Sequence, residues 1–135
     1  MLKIGLDIHG VADEIPKFFS ELSSLLVSTD NEVHIITGPP ITDEFIKELK
    51  GLGLMWTHIF SIVDFHKSLG TEISYDSDNQ AWLDPYSWDK TKADYCQKNG
   101  IQLHLDDSDA YGYFFKTPYA RFYSKNKRKH YSRKD

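Results

Sequence analysis

The first eleven residues restrict the fold most. Leu2-Lys3-Ile4-Gly5-Leu6-Asp7-Ile8-His9-Gly10-Val11 is a short apolar run with an aspartate inside it and a glycine near its end. A strand buried on both faces reads as a near-continuous apolar run, and such strands belong to parallel sheets. In an open α/β sheet, ligands bind beyond the carboxyl ends of the strands. Asp7 stands where strand one, residues 2–7, hands over to its loop. Two readings are open there: a cap for the next helix, or a carboxylate that reaches a substrate and a metal ion.

The following segments alternate strand and helix. Residues 11–27 carry Ile15, Phe18, Phe19, Leu22, Leu25 and Leu26 at helical spacing, with Pro16 in the first turn. Residues 28–31 break that helix, and residues 32–37 (Glu-Val-His-Ile-Ile-Thr) predict a second strand, stopped by Gly38-Pro39-Pro40. Thr42 predicts an N-cap, with Asp43 and Glu44 in the first turn of a helix that runs to about residue 52. Residues 57–63 predict a third strand. The β-α-β-α-β order predicts parallel strands joined by helical crossovers.

Between residues 64 and 88 the periodicity fails, and two short strands around Asp76-Ser77-Asp78-Asn79 predict a small hairpin insert. Residues 89–99 predict a helix ended by Gly100, and residues 101–105 a fourth strand running into Asp106-Asp107-Ser108. A short helix over 110–115 and a last strand over 119–123 complete the pattern. The expected fold is a three-layer α/β/α, Rossmann-like domain over residues 1–123, with a mainly parallel sheet of about five strands. A basic C-terminal tail, 124–135, follows, and no internal repeat or domain linker is visible.

Hydrophobic residues at 40% and charged residues at 27% of 135 positions fit one globular domain with one core. No apolar run approaches the ~18 residues of a membrane span. The strand pattern starts at once, without a long apolar leader, and Cys96 has no second cysteine to pair with. Together these lead to the expectation of a reducing, cytoplasmic setting and no membrane partner. The net charge of −4 is unevenly placed: from Arg121 onward there are seven bases and one acid, so the remaining 120 residues are strongly acidic.

Strands one, two and four end in Asp7, Thr37 and Asp106-Asp107, and in a parallel sheet those ends share one edge. Carboxylates gathered there repel, and the usual remedy is a hard divalent cation with oxygen ligands, most often Mg2+. Lys92 offers the positive charge a phosphate needs, and Gly38 offers a backbone N–H at close range.

Leu-Asp-Ile-His-Gly-Val, Ile-Ile-Thr-Gly, Lys92 and Leu-Asp-Asp-Ser, in that order, resemble the four motifs of the haloacid-dehalogenase-like hydrolases. The resemblance spans residues 2–108. It implies an aspartyl-phosphate formed on Asp7, with Thr37 orienting the phosphoryl group and Lys92 neutralising shared charge. It implies Mg2+ held by Asp7, Asp106, Asp107 and the backbone carbonyl of His9. Lys90 lies close enough in sequence to compete, but the spacing of Lys92 from the aspartate pair suits a one-helix crossover better. His9 stands where phosphatases of that family usually carry a second aspartate as general acid; a histidine with an ordinary pKa near ~6.5 can also protonate a leaving alkoxide.

A single helix separates the first two motifs, and the later insert is small, so the resemblance implies a largely uncapped core. An open cleft favours a large phosphorylated substrate, such as a protein or a nucleic acid end; a nucleotide is also compatible. The alternative is a catalytically weakened module that binds nucleic acid or protein. Lys125, Lys127, Arg128 and Lys129 of the tail are either a solvated end or a phosphate-backbone contact.

Other residues carry plainer expectations. His104-x-Asp106 and Asp7-x-His9 allow a four-ligand zinc site, but His104 would lie one layer below the strand end. A buried, hydrogen-bonded role is the expectation for His104, His34 and His58. Asp76-x-Asp78 lacks the glycine and glutamate of a calcium loop and predicts a polar turn. Tyr111, Tyr113, Phe114, Phe115 and Tyr119 are expected mostly as core beneath the last strand, with base stacking as the alternative. Trp82, Pro85, Tyr86 and Trp88 are expected near the cleft, as substrate contacts or a small satellite core.

Overall fold

The structure, a computed structural model, describes residues 1–123; the basic tail with Lys125, Lys127, Arg128 and Lys129 lies outside the described residues. Five strands form one sheet: β1 (Lys3–Leu6), β2 (Glu32–Thr37), β3 (His58–Ser61), β6 (Leu103–Asp106) and β7 (Tyr119–Arg121). Their order across the sheet is β3-β2-β1-β6-β7, and every neighbouring pair is parallel. Two further strands, β4 (Ser74–Tyr75) and β5 (Ala81–Trp82), form a separate antiparallel hairpin. The helices are α1 (Pro16–Ser28), α2 (Asp43–Gly51), α3 (Ile62–Ser68), α4 (Pro85–Lys98) and α5 (Asp109–Gly112). Among the described residues, no helix is long and apolar enough to cross a membrane.

Helices cover both faces of the sheet, so β2 carries buried apolar residues on each. In β2, Val33 and Ile35 join Phe19 of α1 and Phe45 and Leu49 of α2 in one cluster. Ile36 belongs to a second cluster with Cys96 of α4 and Ile101. Successive side chains of a strand point to opposite faces, so β2 needs apolar residues on both.

The glycine in β1 is a packing requirement. Gly5 pairs in register with His34 on one side and His104 on the other. A Cβ on Gly5 would lie 2.6 Å from His104 Nδ1 and 2.8 Å from Ile36 Cδ1. Overfilling a tight core costs about 1–3 kcal/mol. Gly5→Ala is therefore expected to lower the unfolding free energy by that much, read as a lower urea midpoint at an unchanged m-value; no change would show that the His104 ring moves aside freely.

Several boundaries differ from the sequence expectation. The first helix starts at Pro16 because residues 8–12 form a broad turn in which Gly10 adopts φ 93°, a region that side chains disfavour. Asp13 Oδ1 fastens that turn by accepting the Gly10 N–H at 2.7 Å. The third strand ends at Ser61 rather than residue 63, and residues 62–68 are helical, where the sequence predicts strand over 62–63 and irregular chain from 64 onward. Ser61 caps that helix by accepting the Asp64 N–H at 3.1 Å. The β-branched pair Ile62-Val63 reads as more strand, but the cap outweighs that local preference.

The fourth long helix begins at Pro85, ahead of the expected residue 89, because the Asp84 carboxylate accepts the N–H groups of Tyr86 and Ser87, both at 3.1 Å. The hairpin has the expected polar turn: Asp76 accepts the N–H groups of Asp78 and Gln80 and the Trp82 indole N–H. His58 is not buried as expected; it opens the edge strand β3 with half its side chain exposed.

Candidate functional site

From β1 the chain moves outward to β2 and β3, then returns across the sheet to β6 and β7. The reversal lies between β1 and β6. In open α/β sheets such a reversal is where a crevice forms at the carboxyl ends of the strands. Asp7 follows β1 and its backbone N–H donates to the Leu105 carbonyl at 3.0 Å. Asp106 ends β6, and Thr37 ends β2 on the far side of β1, buried. Topology thus delivers the sequence-predicted residues to one edge.

α4 adds the cation. Lys92 is buried, with Nζ 2.8 Å from Asp106 Oδ2 and 3.3 Å from Asp7 Oδ1. The same ammonium sits 4.8 Å from the centre of the Tyr111 ring. Lys90, two residues away, points elsewhere: it lies 3.7 Å from Asp94 and over the Tyr86 ring. A buried charge persists only with close partners, and Lys92 has two.

Asp106 is the most completely coordinated group. Its Oδ1 accepts the N–H of Asp107 at 2.8 Å and of Ser108 at 3.3 Å. Its Oδ2 accepts from Lys92 and lies 2.9 Å from His104 Nε2. An ionised carboxylate only accepts, so Nε2 carries the His104 proton. His104 is fully buried and stacks on Phe115 with centroids 5.4 Å apart. The expected buried, hydrogen-bonded histidine is there, and the group it holds is a site carboxylate.

The electrostatics separate the two aspartates. Burial, then the Asp106 and Asp107 charges, raise Asp7 well above the usual carboxylate range against the pull of Lys92. Burial alone would raise Asp106 too, but Lys92 and the His104 hydrogen bond outweigh it and hold Asp106 well below that range. Burial would lower Lys92; the Asp106 and Asp7 charges reverse this and raise it well above its ordinary value.

Oxygen atoms of Asp7, Asp106 and Asp107 all lie within 4.8 Å of one another. An all-carboxylate donor set of that size suits a hard divalent cation better than a soft one. The three carboxylates expected at the strand ends thus lie within reach of one another.

His9 is placed differently. Its Nε2 lies 2.8 Å from Glu48 Oε2 on α2, and its ring meets the edge of Phe45. With His9 engaged by Glu48 and His104 Nε2 by Asp106, the four-ligand zinc arrangement of Asp7, His9, His104 and Asp106 is not formed. Glu48 was invisible as a site residue, because 39 positions separate it from His9 and no motif links them.

Trp88 and Tyr111 frame the same crevice. The Trp88 indole N–H donates to the Tyr111 hydroxyl at 2.7 Å, and a Cβ on Gly38 would lie 2.7 Å from the Trp88 ring. Gly38 is needed because only a residue without a side chain lets that ring approach. Tyr111 and Phe115 pack inward in part, while Tyr113 is almost fully exposed, so the expected aromatic core is split. Trp82 and Tyr86 are also exposed. Comparison with known proteins finds no matching family model, no matching curated protein and no matching solved structure.

Proposed function

We propose that this protein is a Mg2+-dependent phosphohydrolase that cleaves a phosphate monoester through an aspartyl-phosphate, in the manner of uncapped haloacid-dehalogenase-like enzymes. The observation that carries this reading is the three-carboxylate group at the sheet reversal, with a buried lysine bridging two of its members. The parallel order β3-β2-β1-β6-β7 supports it, since the four motifs then meet at one crevice.

In this reading a carboxylate oxygen of Asp7 attacks phosphorus, and the bond from phosphorus to the alcohol oxygen breaks. The leaving oxygen takes a proton, and water then cleaves the acyl phosphate to restore Asp7 and release inorganic phosphate. Lys92 offsets the charge of Asp7 and the phosphoryl oxygens. Thr37 and the Gly38 N–H orient the phosphoryl group.

Glu48 bears on the proton. A carboxylate partner selects the His9 tautomer with hydrogen on Nε2, which leaves Nδ1 as the nitrogen that can hold and deliver a proton to the leaving oxygen. Mg2+, held by Asp7, Asp106, Asp107 and the residue 9 carbonyl, would neutralise phosphoryl charge when bound.

A single helix, α1, joins β1 to β2, and the insert before α4 is only α3 and a two-stranded hairpin. That supports an uncapped cleft and a large substrate such as a nucleic acid end, handled in the cytoplasm. The test is hydrolysis of para-nitrophenyl phosphate by the purified chain. Turnover is expected with Mg2+, lost with EDTA and restored by added Mg2+. Absence of turnover at every Mg2+ concentration, with salt-sensitive oligonucleotide binding, would replace the enzyme with a binding module.

A further inference from the structure

The opposite end of the sheet holds a second group of metal-ligating side chains, which the phosphohydrolase reading does not use. Glu32 opens β2 and His58 opens β3, whereas Thr37 closes β2 at the crevice. At about 3.3 Å per residue the two ends of β2 stand roughly 16 Å apart. His34 and His58 are register partners on adjacent strands. Glu32 Oε1 lies 2.8 Å from His34 Nε2 and 4.0 Å from His58 Nδ1, and one ligand atom from each residue falls within a 4.8 Å group.

His34 is the buried, hydrogen-bonded histidine expected from the sequence, and the same partners offer what a metal-bound histidine needs. The ring is buried, and both of its nitrogens have polar partners. Its Nδ1 lies 2.7 Å from the Tyr95 hydroxyl. At present Nε2–H donates to Glu32 and the tyrosine donates to Nδ1. A hydroxyl can also accept, so the proton can move to Nδ1 and free the Nε2 lone pair. A hydrogen-bond partner on the non-ligating nitrogen is the usual support of a metal-bound histidine.

We propose that Glu32, His34 and His58 form a Zn2+ site, with Tyr95 holding the His34 ring. Two imidazoles and a carboxylate are a donor set for zinc, with the fourth position left to water, and they disfavour Mg2+. The two rings now stack face to face, with centroids 4.1 Å apart and planes 5° from parallel. Parallel rings direct their lone pairs side by side, so binding turns His58 out of its 2.9 Å contact between Nδ1 and Thr57 Oγ1, a move its half-exposed position at the strand start permits. Ligand atoms around a tetrahedral zinc stand roughly 3.4 Å apart, so Glu32 and His34 also separate by about half an ångström. Zinc would then tie β2 to β3.

The experiment is calorimetric titration of the full chain with ZnCl2 in excess Mg2+, on wild type, His58→Ala, Glu32→Gln and Asp7→Asn. One Zn2+ per chain is expected in wild type and in Asp7→Asn, with affinity at least tenfold weaker in His58→Ala and in Glu32→Gln. His58→Ala removes a half-exposed ring, and its metal-free melting curve checks that the fold stands. Failure of wild type to bind Zn2+, wild-type affinity in His58→Ala or Glu32→Gln, or loss of binding in Asp7→Asn would each overturn the proposal.

Discussion

Asp7→Asn is expected to lower phosphate-ester turnover by about 10⁴-fold or more while leaving the fold intact or firmer. An amide of the same shape cannot form the acyl phosphate, and losing the nucleophile of a covalent mechanism removes the pathway rather than slowing one step. The stability half of the prediction follows from the raised pKa of Asp7. A carboxyl whose folded pKa exceeds its unfolded value is costly to ionise in the fold. Its charge therefore works against stability at neutral pH, and that penalty fades as pH falls through the folded pKa. Removing the ionisable group should keep or raise the melting temperature at pH 7, even though one Lys92 contact at 3.3 Å is weakened. Parallel measurement of turnover and thermal unfolding checks both halves. Undiminished turnover in the variant would remove Asp7 from the chemistry.

Lys92→Met should have the opposite signature, a large loss of stability. The ammonium is buried between Asp106 at 2.8 Å and Asp7 at 3.3 Å, and methionine fills most of its volume without its charge. Removing one partner from a buried ion pair leaves the other charge uncompensated and costs about 3–5 kcal/mol. Urea unfolding reads this directly. Added Mg2+ should recover part of the loss, because a divalent cation bound by Asp7, Asp106 and Asp107 supplies the missing positive charge. A loss below about 1 kcal/mol, the scale of an exposed ion pair, would mean that Lys92 is not the charge that holds the cluster together.

Lys92 and Lys90 also show what kind of information each level holds. Both lie in the same helix, and sequence spacing could only rank them. Two residues along a helix is a turn of roughly 200°, so packing α4 on the sheet sends one toward the aspartates and the other toward solvent. The same helix shows weak apolar periodicity in its sequence, with Thr91 and Lys92 among its buried positions, so no reading of apolar residues would have identified the inward face.

The chain's local chemistry, read alone, determined the alternation of the main strands and helices and which residues stand at the ends of β1, β2 and β6, though not the α3 helix or several boundaries. Residues 32–37 and the Thr42 cap are written in β-branching and in a side-chain oxygen placed to accept the Phe45 N–H. The β-α-β-α-β alternation requires parallel pairing, which places Asp7, Thr37 and Asp106 at one edge before any coordinates are known. The tertiary structure alone decided the return of the chain from β3 to β6, the ring of His104 against Asp106, and the pairing of His9 with Glu48. It also brought Glu32, His34 and His58 together at the far end of two strands. The physical reason is range. Propensity and periodicity act over a few neighbouring residues, whereas strand order and side-chain partners depend on which distant surfaces bury one another.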